Sequence, residues 1–236
     1  MARLDVDLLE TGIYSVSEAT RLLRLQKLDA SQQRVRGWVA GYYRTAGEPI
    51  IRNQVGFYDR RLAMSFTNLM EARFIAYFSG KGVSVNHIRA IVEEARDFAN
   101  HEHPFATKLM FTTDGKNIFG LVAEKTGDPR MYDFQKKNWA MYVVMAQSLR
   151  AGVIYDLEGE ALAWHPHKHL APHVIVHPKR AFGQPVLRDS GVPTATLYDS
   201  FKADDENHET VANWFGIPVA QVKEAVRFEG LLAQAG

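Results

Sequence analysis

Glycine and proline cut residues 174–236 into short pieces, which restricts this segment to brief elements joined by tight turns. Residues 174–176 read as a strand, closed by Pro178. After Ser190-Gly191-Val192-Pro193-Thr194 a helix is expected over 194–202, followed by an acidic loop over 204–207. A helix over 210–215 ends at Gly216, and another runs over 218–229. Ala212, Gly216 and Val222 then stand where a helix-turn-helix wants a small residue, a turn glycine and a buried aliphatic.

A second helix pair is expected near the N-terminus. Ser15 or Ser17 can cap a helix reaching Leu25, with Glu18 in its first turn and Ala19, Leu22, Leu23 and Leu25 on its apolar face. A break over 27–30 precedes a helix over 31–40 that turns Val35, Trp38 and Val39 inward. Residues 41–48 read as a loop, and 49–57 as a strand or extended wing. Charge singles out the same region. The whole chain carries only +1, but residues 21–61 carry a net +6, and eight of their nine cations are arginine. That is the electrostatic footprint of a phosphate-backbone contact. Gln32, Gln33 and Arg36 lie near the N-terminal end of the second helix, where base edges would be met. Arg34, Arg44 and Arg52 are the candidate phosphate contacts.

The middle of the chain reads as scaffold. Phe66, Leu69, Met70, Phe74, Tyr77 and Phe78 recur at helical spacing, and Ser84 caps a further helix holding Val85, Ile88, Ile91, Val92, Ala95 and Phe98. A hairpin is expected around Asp114-Gly115, from 108–112 to 117–123, and another around Glu158-Gly159, from 153–157 to 160–164. A long helix is expected over 134–150. His165, His167 and His169 would share one face of a strand, which makes them candidate metal ligands. Against that reading stand the lack of a nearby carboxylate and the prolines Pro166 and Pro172, which favour a solvated histidine-rich connector.

Composition closes off several classes. There is no cysteine, hence no disulfide framework and no thiolate chemistry, as suits a reducing cytoplasm. No apolar run reaches the roughly 18 residues of a membrane span, and no Gly-rich phosphate loop or serine-nucleophile elbow occurs. No cofactor and no catalytic residue are expected. The C-terminal unit, residues 178–236, is net −2, and Glu206, Glu209, Glu224 and Glu229 would repel phosphate. Its surface fits a protein better, with Trp214, Phe215, Glu224 and Phe228 as candidate contacts to a partner or a second copy.

The pieces Phe182-Gly183-Gln184-Pro185-Val186, Ser190 to Thr194, Ala212 to Phe215, and Val222, Ala225, Phe228 and Glu229 resemble the helical module catalogued as "domain of unknown function 433". Gly12-Ile13-Tyr14-Ser15 to Trp38 is similar to the start of MerR-like proteins. Together with His103-Pro104-Phe105-Ala106 and the Asp114-Gly115 hairpin, these pieces resemble a longer antitoxin group carrying that module at its C-terminus. The resemblance implies a VapB-like type II antitoxin that neutralises a PIN-like ribonuclease toxin and represses its own operon by binding operator DNA. A homodimer is expected, because paired operator half-sites go with two-fold symmetry. The expected architecture is mainly α with short β-hairpins (α+β). A winged helix-turn-helix would occupy residues 1–62, a helical and hairpin section 63–173, and a small helical domain 174–236. The alternatives are a MerR-like transcription regulator without a toxin and, from another class, a histidine-metal hydrolase.

Overall fold

Ser15 opens the first long helix with a reciprocal cap: its Oγ accepts from the Glu18 N–H at 3.2 Å, and the Glu18 carboxylate accepts from the Ser15 N–H at 2.8 Å. The computed structural model describes residues 8–42, 48–58, 60–111 and 147–236. Within them a one-turn helix α1 (Leu8–Thr11) and a strand β1 (Tyr14–Ser15) lead into that helix, α2 (Val16–Leu25). Ala19, Leu22, Leu23 and Leu25 are buried, as their spacing requires. Ser31 caps α3 (Gln32–Ala40), which buries Val35, Trp38 and Val39.

The expected strand over 49–57 lies further along the chain. Strands β2 (Gly56–Tyr58) and β3 (Arg61–Met64) form a hairpin, and β1 joins it in an antiparallel sheet of order β1-β3-β2. Residues 49–55 stay irregular because side chains take over their backbone bonding. Asn53 Oδ1 accepts from the Val55 N–H at 3.0 Å, Asn68 Oδ1 from the Gln54 N–H at 3.3 Å, and Asn53 Nδ2 donates to Ala63 O at 2.9 Å.

Helices α4 (Phe66–Gly80) and α5 (Val85–Ala99) form the expected pair, capped by Ser65 and Ser84. The first is buried on nearly every side, and its polar residues are met inside. Glu71 pairs with His103 at 2.8 Å with both side chains buried. Arg73 donates to Gln26 Oε1 at 3.1 Å and to Leu149 O at 3.1 Å, and its guanidinium lies 4.6 Å over the Trp164 ring. Burial draws the Arg73 pKa down to about 10. Where a strand is expected over 108–112, Leu109–Phe111 forms a 3-10 turn. The rest of the Asp114-Gly115 hairpin, and nearly all of the helix expected over 134–150, lie outside the described residues.

A second antiparallel sheet has the order β4-β5-β6-β7, from β4 (Val153–Tyr155), β5 (Ala161–Trp164), β6 (Val174–Val176) and β7 (Pro185–Leu187). Three helices complete the chain, close to their expected places: α6 (Thr194–Ala203), α7 (His208–Phe215) and α8 (Val219–Gln234). Asn207 starts α7 two residues early because its side chain accepts from the Glu209 and Thr210 N–H groups. Gly216 ends α7 in the left-handed conformation, at φ 63°.

The two ends of the chain meet. Helix α8 packs on both α6 and α2. The Ile13 N–H donates to Phe182 O at 3.0 Å, and Tyr14 Oη to Gly183 O at 2.8 Å. Arg24 Nη1 donates to the carbonyls of Ala235 and Gly236 at 3.3 and 3.1 Å. Gly183 has to be glycine here: its φ is +88°, and an added Cβ would lie 2.4 Å from Tyr14 Oη. The result is a mainly helical α+β fold with small antiparallel sheets.

Candidate functional site

Four of the six candidate nucleic-acid residues sit on α3. Gln32, Gln33, Arg34 and Arg36 are all exposed, opposite the buried stripe of Val35, Trp38 and Val39. A helix of this pattern presents one polar, cationic face to solvent. The four are not equally available. Arg34 is ion-paired with Asp29, and Gln32 Nε2 donates to Ser17 Oγ at 3.4 Å. Arg36 forms no ion pair among the described residues.

The remaining two candidates lie elsewhere. Arg52 sits in the irregular stretch before β2, 3.1 Å from Glu102 and 3.9 Å from Glu93. Its charge is therefore shared by two carboxylates before any phosphate arrives. Arg44 lies outside the described residues.

Sequence reasoning passed over the tip of the β2–β3 hairpin. Phe57 and Tyr58 are 61% and 53% exposed, and Arg60 and Arg61 are exposed beside them. Arg60 holds a left-handed φ of 60°, as a tight two-strand turn demands. Strand β3 packs against α3, so the hairpin and the polar helix face belong to one packed unit. The signal is present as Arg60-Arg61 inside the basic segment, but a strand expected over 49–57 ends before it and leaves no tip there.

The C-terminal candidates divide evenly. Trp214 is 61% exposed, and Phe215 half-buried, on α7. Phe228, by contrast, belongs to the core at 1% exposure. Glu224 turns inward, where its carboxylate accepts from the His173 backbone N–H at 2.6 Å and faces His173 Nδ1 at 2.8 Å. Glu229 also points in and pairs with Thr194. The charged residues that α8 exposes are Lys223 and Arg227. The acidic character of this segment is therefore weaker on its surface than in its composition.

The three histidines are not gathered on a strand face. Strand β5 ends at Trp164, and residues 166–170 form a turn closed by the Ala171 N–H donating to His167 O at 2.8 Å. His165 is buried with Nδ1 3.1 Å from Val174 O, and desolvation lowers its pKa. His167 is half-buried and His169 exposed. Among the described residues no group of three or more His, Asp or Glu side chains is placed to hold a metal ion.

Taken together, a helix pair and its hairpin present a polar, arginine-bearing surface, and a second helix pair presents an exposed tryptophan. No family model matches the chain. The chain is 21% identical over 231 residues to "Putative antitoxin VapB45" of Mycobacterium tuberculosis, covering 92% of this chain and 93% of that protein. Its fold matches the crystal structure of Rv2018 from Mycobacterium tuberculosis with a TM-score of 0.68 and 21% identity, over 95% of this chain and 99% of that one. The two share one fold along nearly their whole lengths. No described helix is long and apolar enough to cross a membrane.

Proposed function

We propose that the protein is the antitoxin of a type II toxin–antitoxin pair, and that it binds its own operator through a winged helix-turn-helix made of α2, α3 and the β2–β3 hairpin. The observation that carries the DNA-binding part is the exposed face of Gln32, Gln33 and Arg36, flanked on one unit by the Arg60-Arg61 tip. In this reading Gln33 and Arg36 meet base edges, and Arg60 and Arg61 meet phosphates. The antitoxin part draws on the full-length likeness to the M. tuberculosis protein. The toxin, a PIN-like ribonuclease, docks on the C-terminal unit around Trp214 and Phe215. A homodimer would place two α3 helices on the half-sites of a palindromic operator.

The test is co-expression of the full chain with the nuclease encoded beside it, followed by gel filtration and a mobility-shift assay on the upstream DNA. Wild type should elute with the nuclease and retard the DNA. Trp214→Asp should release the nuclease yet still bind DNA, and Arg36→Ala the reverse. Elution apart from the nuclease would sink the antitoxin assignment. A transcription regulator without a toxin is the second reading. It is favoured by the inward turn of Glu224 and Phe228, which leaves the docking face with two of its four candidate residues.

A further inference from the structure

A cleft of about 190 Å³ opens at the seam where α2 meets α8, and its walls carry opposite charges. The floor is apolar, from Ile13, Leu22 and Leu232. Arg21 reaches it from α2, Glu229 from α8, and Gln184 from just before β7. Arg21 Nε is buried and has no hydrogen-bond partner. Glu229 engages Thr194 through one carboxyl oxygen, and burial raises its pKa while the nearby Arg21 charge opposes the rise. Arg21 and Glu229 thus feel each other across the cleft, yet no direct ion pair joins them. A cation and a half-used carboxyl therefore line one cleft without neutralising each other directly.

The geometry points to a binding site for a free α-amino acid with a medium-sized aliphatic side chain. Charge selects the class. A phosphate or dicarboxylate would meet Glu229 and Glu18, which also lines the cleft, and a simple amine would meet Arg21. A zwitterion suits both walls: its carboxylate accepts from the guanidinium, and its ammonium donates to Glu229. The side chain then lies on Ile13, Leu22 and Leu232. The space is well above the roughly 10–15 Å³ that one water needs by the same measure, which leaves room for a compact amino acid. Binding would tie the helix that leads into α3 to the last helix of the chain, independently of any DNA or protein partner.

The test uses the full chain, with leucine and the other common amino acids as probes in a thermal-unfolding assay. A binding amino acid at a hundredfold excess over its Kd should raise Tm by about 5–10 °C. The matched 4-methylpentanoate and isoamylamine, lacking the ammonium or the carboxylate, should not. Glu229→Gln and Arg21→Met should lose the response. Ala195 lines the cleft from an exposed position, so Ala195→Phe should close the cleft and abolish the response without changing the protein's own Tm. The proposal is overturned if no amino acid raises Tm, if either analogue does so equally, or if the response survives in Ala195→Phe.

Discussion

Helices α3 and α8 hold equivalent places in two helix pairs, each the second helix of its pair and reached through a turn, yet they treat their charges in opposite ways. The former buries three apolar residues and sends every polar side chain of its first turn outward. Its counterpart folds two carboxylates back into the protein, Glu224 onto His173 and Glu229 onto Thr194, and leaves Lys223 and Arg227 outside. A segment's net charge is thus a poor guide to the charge of its surface. One helix leaves its first-turn polar groups in solvent, and the other spends two of its carboxylates on internal contacts.

The largest expected effect lies on the internal side of that contrast. Phe228→Ala should cost about 3–5 kcal/mol of stability, the usual cost of emptying an aromatic core site, read as a shift in the urea midpoint. A loss below about 0.5 kcal/mol, the surface range, would return Phe228 to the surface. Glu224→Ala should cost about 1–3 kcal/mol, because the His173 N–H loses its acceptor, and should leave capture of the nuclease unchanged.

On the external side, Arg36→Ala should leave stability within about 0.5 kcal/mol while costing about 1–3 kcal/mol in operator binding and relaxing preference at one position. Arg60→Ala should weaken all duplexes alike and lower the salt slope by about one, measured by titrations over a range of salt. Arg52→Ala should do less than either, since Glu93 and Glu102 already hold that charge. The smallest effect should come from the double variant Lys223→Ala, Arg227→Ala, with operator affinity unchanged. If it weakened binding as Arg36→Ala does, the two helix pairs would both be DNA readers, and the contrast would fail.

Much of the helical skeleton was legible because its signals are local. Ser15 with Glu18, Ser31, Ser84 and the Gly216 stop act within one turn, and the structure uses each of them. The hairpin was harder to place, since what keeps 49–55 out of the sheet is Asn68, fourteen residues beyond Gln54. The histidine face failed for a related reason. A period of two holds only inside a strand, and β5 stops one residue short of His165. Arg73 gave no signal at all, because its partners Gln26, Leu149 and Trp164 come from three distant parts of the chain.

The sequence by itself determined where most of the described helices lie, which faces are apolar, and that the arginines concentrate near the N-terminus. Caps, periodicity and composition are properties of neighbouring residues, and they survive without a fold. Only the tertiary structure decided which of those charges are free. Arg36 and Arg60 stay open to solvent, Arg52 is shared with carboxylates 41 and 50 residues away in the chain, and Glu224 and Glu229 are spent inside. Pairing and desolvation depend on what lies within a few ångströms in space, and no count along the chain contains that distance.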